Sequence, residues 1–133
     1  MGTPAEIGLQ RWHEAIAGRD PAVLPGMIAE DAVFRSPAVH TPQEGRDLVT
    51  AYLAGAIVVL GRELTYHDEW SREHDAVLRF TTVVDGLQVE GVDLITWDDD
   101  GMISSFTVMI RPFKALQAVM ARMLEELTRT AGS

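Results

Sequence analysis

The sequence predicts an α+β fold, with helices segregated onto an antiparallel sheet. Three observations predict it. Apolar residues recur at helical spacing up to residue 60 and again after Pro112. Between these segments, after Gly61, the period changes to alternation. Two turn signals, Asp85-Gly86 and the DDDG run at 98–101, then divide the alternating stretch into hairpins. At 133 residues the chain fits one domain, 1–133, and carries no repeat, linker or low-complexity segment.

The elements follow in order. PAEIGLQRWHEAIA at 4–17 reads as a helix opened by Pro4, with Ile7, Trp12 and Ile16 on one face, Leu9 at its margin and Gly18 ending it. Asp20-Pro21 is a cap and first turn for a short second helix through about Ala29, interrupted by Pro25-Gly26. Ala32-Val33-Phe34 reads as a short strand, and SPAVHTPQEG at 36–45 as a loop. A third helix spans 46–60, with Leu48, Tyr52, Ala56 and Val59 on one face. Strands are predicted at 63–71, 76–84, 87–97 and 102–111. Pro112 opens a terminal helix with Phe113, Leu116, Met120, Met123 and Leu127 at helical spacing.

Composition excludes several classes of function. Twenty acidic against eleven basic residues give a net charge of −9, the wrong sign for nucleic acid or an anionic membrane surface. With no cysteine there is no disulfide and no thiolate metal site, and no two of the four histidines have metal-helix spacing. No metal and no organic cofactor is expected. The longest apolar run, Ala56 to Leu60, is far short of a membrane span, and Met1 to Glu6 lacks a secretory start. A soluble, cytoplasmic protein is expected.

The feature that asks for an explanation is Asp93, set in the strand GVDLITW among valine, leucine and isoleucine. If Asp85-Gly86 is a two-residue turn, Val84 pairs with Leu87 and Asp93 lies opposite Leu78. Asp93 then shares a face with Leu78, Phe80, Thr82, Val89, Gly91, Ile95 and Trp97, and the next strand adds Phe106, Val108 and Ile110. The opposite face carries Arg79, Thr81, Gln88, Glu90, Thr96, Ser105, Thr107 and Arg111. A carboxylate on the apolar face needs donors from a helix or loop, or its pKa rises and it keeps a proton. A buried Asp that only ties loop amides satisfies the same pattern. The DDDG run lacks the ligand spacing of a calcium loop and reads as a solvated turn.

RWHEAIAGRD (11–20), AEDAVFRSP (29–37), EGRDLVTAYL (44–53) and VDLITWDDDGMISSF (92–106), in that order, resemble the nuclear-transport-factor-2-like superfamily, within it the SnoaL-like and steroid delta-isomerase branches. The resemblance implies a cone-shaped curved antiparallel sheet packed around N-terminal helices, with a C-terminal helix and an apolar pocket. It also implies a homodimer through the outer sheet face. In steroid isomerases a first-helix tyrosine donates to the substrate oxyanion, and Trp12 stands at that place. The place of the aspartate base is occupied by Ser36 before Pro37, a serine that cannot act as that base without help, and the second oxyanion donor, an aspartic acid in a late strand, is matched by Asp93.

The candidate site is therefore Asp93 as oxygen anchor and His40, in the loop after the first strand, as a base titrating near neutrality. For His40 the alternative is a solvated loop histidine. Trp12, Tyr52, Phe80, Trp97 and Phe106 are candidate pocket walls, with ordinary core packing as the alternative. Ser36 joins the substrate-binding set. So does Asp68, which shares its strand's apolar parity with Leu64, Tyr66 and Trp70. The expected ligand is an apolar, carbonyl-bearing small molecule, handled by cofactor-free isomerase- or cyclase-like proton transfer. The alternative is a non-catalytic ligand-binding or dimerisation module of the same fold.

Overall fold

The computed structural model describes residues 2–131; residues 1, 132 and 133 of the expected domain lie outside the described residues. Helix α1 spans Pro4–Gly18, and the Thr3 hydroxyl caps it by accepting from the Glu6 amide at 3.2 Å. Gly18 stays helical, and Arg19 takes the left-handed position at φ 48° that closes the helix. The buried face is Ala5, Gly8, Leu9, Trp12 and Ala15 rather than one centred on Ile7 and Ile16. Gly8 is required there: a Cβ would lie 2.1 Å from the Trp97 indole nitrogen, so the helix rests directly on that ring.

The second segment is a 3-10 turn, Pro21–Met27, shorter than the helix expected through Ala29. Pro25 lacks an amide donor, and the chain leaves the turn early to enter strand β1, Ile28–Arg35. The following loop contains a two-residue strand, β2 (Gln43–Glu44), antiparallel to β1. Helix α2, Arg46–Leu60, has the predicted bounds, but its buried residues include Val49, Leu53 and Ile57, about one position round from the expected face.

Strands β3 (Thr65–Ser71), β4 (Asp75–Val84), β5 (Leu87–Trp97) and β6 (Ile103–Arg111) form the meander, in a six-stranded sheet of order β2-β1-β6-β5-β4-β3. The β1–β6 pair is parallel, an exception to the antiparallel expectation. It is possible because α2 and the meander provide the long crossover that parallel neighbours need. Asp85 and Gly86 both have positive φ, 52° and 77°, the backbone of a two-residue hairpin turn matched to strand twist. Val84 pairs with Leu87 and Leu78 with Asp93, as the turn argument requires. Across the next hairpin Ile95 meets Phe106, Asp93 meets Val108 and Gly91 meets Ile110. Register shifts in β1–β6, β3–β4 and β5–β6 bend the sheet around the helices.

The concave face, α1 and α2 enclose the main core, which includes Trp12, Leu53, Phe80, Ile95, Trp97 and Phe106. Helix α3, Phe113–Ala131, adds a second cluster in which Ala115 and Val119 pack on Val84 and Val89. Phe113, expected on its apolar face, is exposed instead. No helix among the described residues is long and apolar enough to cross a membrane.

Candidate functional site

Asp93 is on the concave face, only 5% exposed. It borders a cavity of about 30 Å³ lined by Trp12, Ile16, Leu53, Ala56, Ile57, Leu60, Gly61, Leu64, Tyr66, Phe80, Phe106 and Val108. Its partner is a side chain that sequence reasoning placed on this face without assigning it a role. The Tyr66 hydroxyl donates to Asp93 Oδ2 at 2.6 Å, and the Trp12 indole N–H donates to that same hydroxyl at 2.9 Å. The signal for Tyr66 was its parity: a tyrosine on an apolar strand face must find a partner for its hydroxyl.

Three elements meet in this chain of hydrogen bonds. Trp12 comes from α1, held by a tilted ring contact with Phe106 at 4.9 Å. Tyr66 comes from β3, edge-on to Phe80 at 6.1 Å and to His13 at 5.5 Å. Asp93 comes from the middle of β5. Gly91, two residues before it, lets the Phe80 ring lie across the strand, since a Cβ there would come within 2.5 Å of both that ring and the Met109 carbonyl. His13, displaced around α1 from Trp12, pairs with Glu69 at 2.7 Å beside the Tyr66 ring.

Burial pushes the Asp93 carboxyl up from its ordinary 3.8 to about 7, and the Tyr66 hydrogen bond only partly opposes this. Tyr66 is itself raised well above 10, first by burial and then by the neighbouring Asp93 charge. Of the two physical outcomes open to Asp93, donors from a helix or loop or a raised pKa, neither stands alone: a single donor arrives, from strand β3, and burial still pushes the carboxyl up to about 7. Tyr66 occupies Oδ2, and among the described residues Oδ1 has no hydrogen-bond partner. A protonated Asp93 therefore has one oxygen able to donate into the cavity, the arrangement by which a neutral carboxylic acid holds a ligand oxygen.

A second cavity, about 160 Å³, lies under α3 and is lined by Phe34, Ser36, Pro37, Val39, Tyr52, Ile110, Val119, Met120, Met123, Leu124 and Leu127, with Ala56, Leu60 and Val108 common to both cavities. The candidate residues thus separate. Trp12, Phe80 and Phe106 line the Asp93 cavity, and Ser36 and Tyr52 line the second. The Ser36 hydroxyl accepts from the Ala38 amide at 3.3 Å and shapes its own loop. Trp12 directs its N–H at Tyr66 rather than at the cavity.

Three candidates are placed elsewhere. His40 is exposed in the loop and lines neither cavity. Trp97 is core beneath Gly8, its indole N–H without an acceptor among the described residues. Asp68 is on the outer face, bonded to Arg79 Nε at 2.7 Å. The register shift between Tyr66 and Asp68 breaks the parity on which its inward placement relied: Tyr66 meets Phe80, but Asp68 meets Arg79. The DDDG run is the expected turn, with the Asp98 carboxylate accepting from the Asp100 and Met102 amides. No group of side chains among the described residues has the makings of a metal site.

Residues 9–106 match the model of the SnoaL-like domain, and the chain belongs to that family, within the nuclear-transport-factor-2-like superfamily. A crystal structure of a steroid delta-isomerase from Pseudomonas aeruginosa superimposes with a TM-score of 0.92 at 36% identity, covering 98% of this chain and 96% of that one. A steroid delta-isomerase from Nocardioides simplex is 29% identical over 121 residues, 84% of this chain and 94% of its own length. The epoxide hydrolase/cyclase-like enzyme SalBIII shares the fold with a TM-score of 0.66 at 16% identity, over 84% of this chain and 92% of its own.

Proposed function

We propose that this SnoaL-like protein binds an apolar, carbonyl-bearing small molecule with Asp93 as the oxygen anchor, and that it promotes isomerase- or cyclase-like proton transfer on that ligand. One observation carries the reading: a carboxyl with a free oxygen borders an otherwise apolar cavity, its pKa raised to about 7. In this mechanism a water molecule takes the carbon-bound proton and returns it at the conjugated carbon, while Asp93 donates to the ligand's carbonyl oxygen, a bond that strengthens as negative charge develops there on enolisation. Tyr66 and Trp12 hold the carboxyl in place and spend their own donors doing so. The step uses no metal and no organic cofactor. The steroid delta-isomerase relatives support isomerisation, and the cyclase-like neighbour supports the fold that hosts it.

A second reading, a binding module without turnover, is favoured by a different observation. Isomerisation needs a base to carry a proton between carbons, and the lining of the Asp93 cavity includes neither a second carboxyl nor an imidazole. His40 is proposed here only as a loop residue beyond the cavities. A β,γ-unsaturated cyclic ketone, followed by ultraviolet absorbance as it becomes conjugated, separates the two readings. Conjugation by the wild type that drops at least about a hundredfold in Asp93→Leu, which has no donor, supports catalysis, the scale seen when an oxyanion donor is removed. Binding without conjugation leaves the module, and a ligand bound equally by both proteins removes Asp93 from the proposal.

The outer sheet face is proposed as the seam of a homodimer. Trp70 and Met109 are 59% and 55% exposed there, at the ends of the rows Trp70–Val77–Leu94 and Arg79–Val92–Met109. Leu94→Glu, measured by light scattering, is expected to give monomers.

A further inference from the structure

The Asp93 cavity is too small to be the whole site. At about 30 Å³ it has room for a water-sized group and for no ring. The second cavity is about five times larger and almost wholly apolar, and it starts at the same three side chains where the first one stops: Ala56, Leu60 and Val108. Val108 is the cross-strand partner of Asp93, so the second cavity begins one strand away from the carboxyl. Ala56 and Leu60 are one helical turn apart on α2 and line both cavities together with Val108. All three shared residues are aliphatic, and of them Leu60 has the rotamer freedom to widen the connection.

We infer that the two cavities are the halves of one site, and that its ligand is a small ketone bearing a single ring or an alkyl group of similar bulk. The carbonyl oxygen enters the Asp93 half and the apolar body lies under α3. The inference rests on the reading of Asp93 as an oxygen anchor and adds the size and direction of the ligand. Size follows from volume: an apolar cavity of about 150 Å³ accommodates benzene, and the half under α3 is about 160 Å³. Even combined, the halves fall below the roughly 300–1,000 Å³ of most drug-sized ligand sites. A four-ring steroid skeleton does not fit while α3 stays in place. Direction follows from polarity, because Asp93 offers its free oxygen in the inner half, whereas Met120, Met123, Leu124 and Leu127 present apolar, partly adaptable surface in the outer one.

The test is calorimetric binding of acetophenone and of a steroid ketone to the wild type, Asp93→Leu, Met120→Trp and Leu124→Trp. Leu124 is 68% exposed, so its replacement keeps the experiment valid even if Met120→Trp fails to fold. Acetophenone is expected to bind the wild type and to weaken about tenfold or more in Asp93→Leu, the loss of one hydrogen bond to a buried group. Weakening of about tenfold is also expected when either tryptophan fills the outer half. The steroid ketone is expected to bind the wild type at least about tenfold more weakly than acetophenone. If acetophenone depends on Asp93 but ignores both tryptophans, the two-half site is wrong and the anchor stands. If it ignores Asp93→Leu, the anchor itself is wrong. Tighter binding of the steroid overturns the size limit.

Discussion

Asp93 and Asp68 carry the same carboxyl group on the same sheet, two strands apart, and meet opposite conditions. Asp68 lies on the outer face in an exposed network in which Arg79 bridges it to Glu90, and Glu90 also pairs with Arg111. The Arg111 hydrogen bond, with help from Arg79, holds Glu90 below the usual carboxylate range. Asp93 lies on the inner face, with a phenol and no cation, and burial moves it the other way, to about 7. The two faces thus move their carboxyls Glu90 and Asp93 in opposite directions. A single register shift between Tyr66 and Asp68 decides the face of Asp68.

The strongest way to break this contrast is with pH. Between 3.8 and about 7 the folded chain keeps a proton on Asp93 that the unfolded chain has released. The native state thus binds more protons across that window, and the Asp93 contribution to stability falls as pH rises. The interval from 3.8 to about 7 is worth about 4 kcal/mol. In urea titrations from pH 4 to pH 8, Asp93→Asn is expected to gain on the wild type by up to that amount. Parallel stability curves for the two proteins would place an ionised carboxylate at Asp93 throughout.

Next in size is Tyr66→Phe, which removes the one donor to the Asp93 carboxyl among the described residues and leaves the Trp12 N–H without its acceptor. A loss of about 1–3 kcal/mol is expected. The Asp93 carboxyl, followed by carbon-detected NMR, is expected to titrate above its wild-type value, since the lost bond favours the charged form. A downward move would mean that another donor governs the carboxyl. The smallest effect belongs to the outer face. Arg79→Ala is expected to shift the melting temperature less than either inner-face change, and by less still in high salt. A salt-independent loss as large as that of Tyr66→Phe would show that the two faces do not differ as described.

Much of the inner face was legible before any coordinates. The Asp85-Gly86 turn sets the β4–β5 register through strand alternation, and this alone places Asp93 opposite Leu78 among apolar neighbours. Bounds of α2 and β5 followed from periodicity in the same local way. The buried face came out about one position off in α2, where apolar residues on nearly all sides leave the orientation to whatever packs against the helix, and in α1 it centres on Gly8, Trp12 and Ala15 rather than on Ile7 and Ile16.

Local pattern by itself thus determined the fold class, the hairpins and the face of Asp93, since these depend on residues adjacent in sequence or joined by a two-residue turn. The tertiary structure decided the rest. The bulge in β3 turned Asp68 outward while keeping Tyr66 inward, and β1 found β6 in parallel across the meander. Tyr66 reached Asp93 from 27 positions away, and Trp12 reached Tyr66 from 54. Such contacts are chosen by which surfaces bury together, a property of the packed chain that no local period encodes.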